Sequence, residues 1–241
     1  MADEIERIKT GVDGLDNLLF GGIPVGSQVL VAGGPGAGKT LLSFEILYHA
    51  AQNGVPTAFI ALEEQPKTVI KNAKYTFSSF DSIDKLIEKK LLVVNGEDLA
   101  LKVSTPTDST MYSFGNILSE IESIIKDNGA KIIVIDSISI IKLMMDSAFS
   151  YRKAMISLVS SLRRLNVTGI ITSDIPSTER DAIKFSQEFF IFDGIIALYQ
   201  SSLENRREPS LEVLKMRGSN HSWMLSPYEI TSEGFRVFTG D

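Results

Sequence analysis

The chain has 241 residues, 44% of them hydrophobic and 22% charged, with a net charge of −6 and no cysteine. That composition supports a packed core and excludes a disordered chain, disulfides, thiolate metal sites and cysteine nucleophiles; the two histidines, His49 and His221, are too few for a histidine-rich metal site. The acidic balance gives no general attraction to nucleic acid, no apolar run approaches bilayer length, and the acidic first residues are not a signal peptide, so a cytoplasmic protein without a membrane partner is expected.

The length suits one α/β domain, assigned to residues 1–241. Thr10-Gly11-Val12-Asp13-Gly14-Leu15-Asp16 reads as a turn leading into a short helix, which Gly21-Gly22 ends; Pro24 sets a rigid approach to the next strand. An apolar run over 27–31 predicts a buried strand. It leads into Gly33-Gly34-Pro35-Gly36-Ala37-Gly38-Lys39-Thr40, which fits G-x-x-x-x-G-K-T, and a helix is expected from 41 to 51.

The residue types in that loop follow from what a polyphosphate needs. Glycines let successive backbone N–H groups turn inward to form an anion nest. Lys39 is placed to reach the β- and γ-phosphates, the Thr40 hydroxyl to bind Mg²⁺, and the helix that opens around Leu41 adds positive dipole beneath the phosphates. Gly34, Pro35, Gly36, Ala37, Gly38, Lys39, Thr40 and Leu41 are therefore the expected lining of a nucleoside triphosphate site.

Further along, a strand over 57–62 ends on Glu63-Glu64, and Pro66 starts a helix expected to run to about Phe80. Two carboxylates at a strand end beside a phosphate site repel one another, which raises the proton affinity of one; either could orient or deprotonate the attacking water. The alternative is an acid pair that complements the following helix dipole. A strand is expected over 91–94, a polar surface loop over 97–113 and a helix whose apolar stripe spans 117–125.

The strand over 131–136 ends in Asp136, the pattern of an acid that holds Mg²⁺ at the carboxyl end of a strand beside the phosphate-loop strand. A helix over 150–165 and a strand over 167–172 follow. Ser173-Asp174 opens a loop of mixed charge to about Gln187, a place that could sense the γ-phosphate or face a partner. Strands over 194–199, 211–217 and 235–238, the first two joined by a loop over 204–209, predict an antiparallel extension of a mostly parallel sheet covered by helices on both faces. Lys215 and Arg217, two apart on a strand, share one face and by themselves read as a charged, solvated sheet edge.

Taken together these residues resemble the RecA superfamily, and within it the KaiC-like branch, in its single-domain form. The resemblance rests on Thr10-Gly11-x-x-Gly14-Leu15-Asp16…Gly21-Gly22-Ile23-Pro24, on Gly34-Pro35-Gly36-Ala37-Gly38-Lys39-Thr40, on Ala61-Leu62-Glu63-Glu64, on Val134-Ile135-Asp136-Ser137 and on Lys215-Met216-Arg217-Gly218-Ser219-Asn220-His221. It implies a RecA-like α/β core that uses ATP and Mg²⁺, with catalytic Glu63, Glu64, Lys39 and Arg217. It also implies a homo-oligomeric ring, hexameric in the family, in which Lys215, Arg217 and His221 reach the nucleotide of the neighbouring subunit. Glu63 falls where RecA-like proteins place a single glutamate. The resemblance leaves two alternatives to an ATPase open: an assembly switch with little turnover, and a recombinase paralogue that binds single-stranded DNA. A protein partner is expected, of a kind the sequence does not identify, while binding to nucleic acid should be weak.

Overall fold

A computed structural model describes residues 5–96, 113–176, 180, 187–203 and 206–240. The polar loop expected over 97–113 and most of the loop expected after Asp174 lie outside the described residues. The chain opens with a two-stranded ribbon, β1 (Arg7–Ile8) antiparallel to β2 (Ile23–Pro24), which brackets α1 (Leu15–Leu18). The glycine-rich lead-in has local reasons. Asp16 accepts from the backbone and hydroxyl of Thr10, at 2.9 and 2.8 Å, while a Cβ on Gly14 (φ 78°) would lie 1.9 Å from the Val237 carbonyl oxygen.

Two further α/β units follow. They are β3 (Gln28–Gly33) with α2 (Lys39–Gln52), and β4 (Thr57–Ala61) with α3 (Pro66–Thr76) and α4 (Ile83–Glu88). Next come β5 (Leu92–Asn95), α5 (Phe114–Asn128), β6 (Ile132–Asp136), α6 (Ser139–Leu143), α7 (Ala148–Arg164) and β7 (Thr168–Asp174). A 3-10 turn over Gln187–Ile191 leads to β8 (Gly194–Leu203), β9 (Arg206–Met216), β10 (Ser226–Thr231) and β11 (Gly234–Val237).

The main sheet runs β11-β10-β9-β8-β3-β7-β6-β4-β5, parallel from β8 through β5 and antiparallel from β8 to β11. Strand alternation splits the core into two layers. Val29 and Val31 face one cluster with α1, α2, α3 and the β10–β11 hairpin; Leu30 and Ala32 face the other, with α5, α6 and α7. Every residue of β3 is buried, as expected of a central strand covered on both faces.

Several boundaries differ from expectation. The helix from Pro66 stops at Thr76 rather than Phe80, and α4 is a separate element. The expected 204–209 loop is mostly strand, since β9 starts at Arg206; β10 carried no strand signal, because Pro227 interrupts its pattern. The strand bearing Asp136 is not beside β3: β7 lies between them. Among the described residues no helix is long and apolar enough to cross a membrane.

Candidate nucleotide site

The glycine-rich loop leaves β3 at Gly33 and enters α2 at Lys39, with Gly36 (φ 75°) and Gly38 (φ 86°) in the left-handed region that favours glycine. A side chain on Gly38 would also strike Phe235 at 2.8 Å and Ile230 at 2.9 Å, because the β10–β11 hairpin closes over this point. The hairpin and the loop are joined directly: Tyr228 donates its hydroxyl to the Ala37 carbonyl at 2.6 Å. From the other side, Gln200 on β8 donates to the Gly36 carbonyl at 2.9 Å.

Three strand ends converge on this loop. Thr40, on the first turn of α2, donates to Asp136 Oδ2 at 2.8 Å, and Thr172 of β7 donates to Asp136 Oδ1. Thr172 thus bridges the strand that separates β6 from β3. Burial pushes the Asp136 carboxyl above its usual range, an effect opposed by the two hydroxyl bonds and the Lys39 charge.

Ser137 donates to Glu63 Oε1 at 2.7 Å across neighbouring strands, in which Ala61 stands opposite Asp136. Partial burial raises the Glu63 carboxyl, the Ser137 bond opposes that, and the charges of Asp174 and Asp136 add to it. The expected cause, repulsion from Glu64, is not what acts on Glu63; Glu64 lines the neighbouring cavity, where Asn72 donates to it at 3.4 Å. Lys39 is buried and holds Asp174 Oδ1 at 2.7 Å, with the carbonyls of Gly33 and Gly34 at 3.0 and 3.2 Å.

Beside these groups is a cavity of about 440 Å³ lined by Gly36, Gly38, Lys39, Thr40, Leu41, Glu64, Asn72, Tyr75, Thr76 and Ile230. The last four were not read from the sequence. Tyr75 is a 76% exposed aromatic at the end of α3, and Ile230 lies on the unread strand β10.

The structure keeps Lys215, Arg217 and His221 apart from this cavity. Met216 pairs with Gly194, which pairs with Val29, whereas Gly33 pairs with Leu198. Lys215 and Arg217 therefore stand level with the start of β3, about 13 Å from its end along the strand at ~3.3 Å per residue. Both reach the Phe190 carbonyl, at 3.4 and 3.0 Å, and Lys215 also donates to the Phe192 carbonyl at 2.5 Å. Burial lowers the Lys215 ammonium from its usual range, and Arg217 beside it lowers it further. His221 is buried, its Nδ1 2.9 Å from the Ser222 carbonyl and its ring 5.0 Å from that of Trp223.

An oxygen-only pair, the Thr40 hydroxyl and the Asp136 carboxylate, fits Mg²⁺, which takes one or two protein ligands and completes its shell with phosphates and water. Among the described residues no cluster of three or more His, Asp or Glu offers a cage for an ion held by protein alone.

Known proteins resemble this chain over nearly its whole length. The family model for the KaiC ATPase matches residues 8–241. The circadian clock oscillator protein KaiC of Picosynechococcus is 30% identical over 240 residues; the match takes in 97% of this chain but only 45% of that protein, so the chain spans a little under half its length. A UPF0273 protein of Methanopyrus kandleri is 35% identical over 242 residues, covering 97% of this chain and 92% of the relative. The crystal structure of a KaiC-like protein from Pyrococcus horikoshii superposes with a TM-score of 0.82 at 28% identity, covering 98% of this chain and 100% of that one. The chain belongs to the KaiC family of nucleotide-binding, RecA-fold ATPase domains.

Proposed function

We propose that the protein binds Mg·ATP and hydrolyses it, as a cytoplasmic ring whose active sites lie between subunits. The observation that carries this reading is a linked set of side chains beside one cavity: Lys39 and Thr40 line it, Thr40 donates to Asp136, and Ser137 next to Asp136 donates to Glu63. The loop backbone and Lys39 hold the phosphates, and the base and ribose fit the cavity toward Tyr75 and Ile230. Thr40 and Asp136 would hold Mg²⁺, which supplies charge neutralisation at the phosphate oxygens when bound. Glu63 takes the proton of the attacking water. Its raised carboxyl suits a general base better than an ordinary glutamate, since the ideal catalytic pKa lies near the working pH. Ser137 fixes its direction.

Arg217, Lys215 and His221 complete the site of the next subunit, a reading supported by the family resemblance and by their distance from their own phosphate loop. The test is a phosphate-release assay run beside a size measurement with and without nucleotide. Wild-type turnover that disappears in Lys39→Ala, together with a nucleotide-stabilised oligomer, is expected. A monomer that turns over fully would remove the shared site, and no turnover in either protein would remove the hydrolase.

A further inference from the structure

Lys39 has three N–H donors and all three are used within the chain: the Gly33 carbonyl at 3.0 Å, the Gly34 carbonyl at 3.2 Å and Asp174 Oδ1 at 2.7 Å. The carboxylate is not there by chance of a loop. Asp174 is the last residue of β7 and stands directly opposite Gly33, the last residue of β3. Its backbone is pinned as well, because its N–H donates to Ser139 Oγ at 2.9 Å. Ser139 N–H in turn donates to Ser137 Oγ at 3.1 Å, the hydroxyl that holds Glu63. The residue is therefore fixed at the mouth of the phosphate loop, its side chain 43% exposed, with its charge aimed at the one cation a triphosphate must capture.

We propose that Asp174 sets the preference of the site between tri- and diphosphate, an inference that rests on the nucleotide reading above. Lys39 cannot serve both partners, so a nucleotide must take it from Asp174, and apparent affinity falls with the fraction of sites in which Lys39 is held. Once Lys39 has turned to the phosphates, the freed carboxylate remains on its pinned backbone beside the γ-position. A γ-phosphate then faces a like charge that a diphosphate does not meet. Asp174 thus lowers affinity for ATP more than for ADP.

The experiment measures dissociation constants for a slowly hydrolysed ATP analogue and for ADP, at fixed Mg²⁺ and salt, on the full chain and on Asp174→Asn, Asp174→Ser and Asp174→Glu, each first checked by thermal melting. Both neutral variants should bind the analogue about tenfold tighter, with ADP changed by less than about threefold, as expected when a partly exposed ion pair and a like-charge contact are both removed. Asp174→Glu should keep the wild-type ratio. An unchanged or reversed ratio in the neutral variants, or the same shift in Asp174→Glu, overturns the proposal while wild-type binding leaves the nucleotide reading intact. Should the wild type bind neither nucleotide, both fail.

Discussion

Ser137 Oγ donates to Glu63 Oε1 at 2.7 Å, so the residue that follows the buried acid of β6 aims the glutamate that follows β4. Two separate motifs are thereby locked into one geometry. Glu63→Gln should leave ATP binding intact and reduce hydrolysis by about two to four orders of magnitude, the range for loss of a general base. Glu64→Gln should cost far less, because Glu64 is engaged by Asn72 and lacks the Ser137 bond that orients Glu63. Ser137→Ala removes a bond that favours the ionised form of Glu63, so its carboxyl should rise further. The acid limb of the rate profile should then move to higher pH, which steady-state kinetics across pH will read. Equal losses from Glu63→Gln and Glu64→Gln would contradict the assignment.

Tyr228 ties the C-terminal hairpin to the phosphate loop through the Ala37 carbonyl. Tyr228→Phe leaves a buried acceptor unpaired, which costs about 1–3 kcal/mol. Thermal unfolding should show that loss, and nucleotide affinity should weaken with it, since the loop is held less firmly. A stability loss with unchanged affinity would mean that the loop holds its shape without the hairpin.

Much of this was legible in the sequence because it is local. The phosphate loop, Asp136 at a strand end and Glu63 after β4 are patterns of consecutive residues, although the strand of Asp136 lies one place farther from β3 than expected. What was not legible depends on pairing between distant strands. Asp174 meets Lys39 only because β7 aligns with β3 so that Asp174 stands opposite Gly33, and no spacing in the chain encodes that register. Tyr75 and Ile230 form the outer wall of the cavity for the same kind of reason: α3 ends earlier than its composition suggests, and β10 begins on Ser226-Pro227, a weak start for a strand.

Glu45 of α2 is buried and accepts from the Phe235 backbone N–H at 2.8 Å, with His49 Nε2 at 3.6 Å. Burial raises its carboxyl above the usual range. A raised carboxyl gives stability that is fully present below the ordinary carboxylate pKa and lost as pH rises through the folded-state value. Glu45→Gln keeps an acceptor for Phe235 without the charge. Its Tm should exceed that of the wild type at neutral pH, and the difference should shrink as pH falls below the carboxylate range. A lower Tm at neutral pH would show that the ionised pair with His49 outweighs its burial.

Arg217→Ala should reduce hydrolysis by about 10³–10⁵ if it stabilises charge on the γ-phosphoryl oxygens as arginine fingers do. Lys39→Ala should be nearly inactive too. Verified mixed rings of the two variants should regain part of the activity, since an intact loop can then face an intact Arg217, and specific activity of the wild type should fall on dilution. No recovery on mixing would place Arg217 outside the reaction.

Along β3 the phosphate loop leaves one end, while Lys215 and Arg217 sit level with the other. If Arg217 serves the site of the next copy, as proposed above, the contact between copies is head-to-tail. Such a chain of subunits always has one receiving edge left over until it closes on itself. An open assembly therefore carries one silent site whatever its length, and closure adds the last working site without adding a subunit. Activity per subunit would then report whether the circle is shut, and loss of one subunit from a closed ring would remove two working sites, its own and the one it completed.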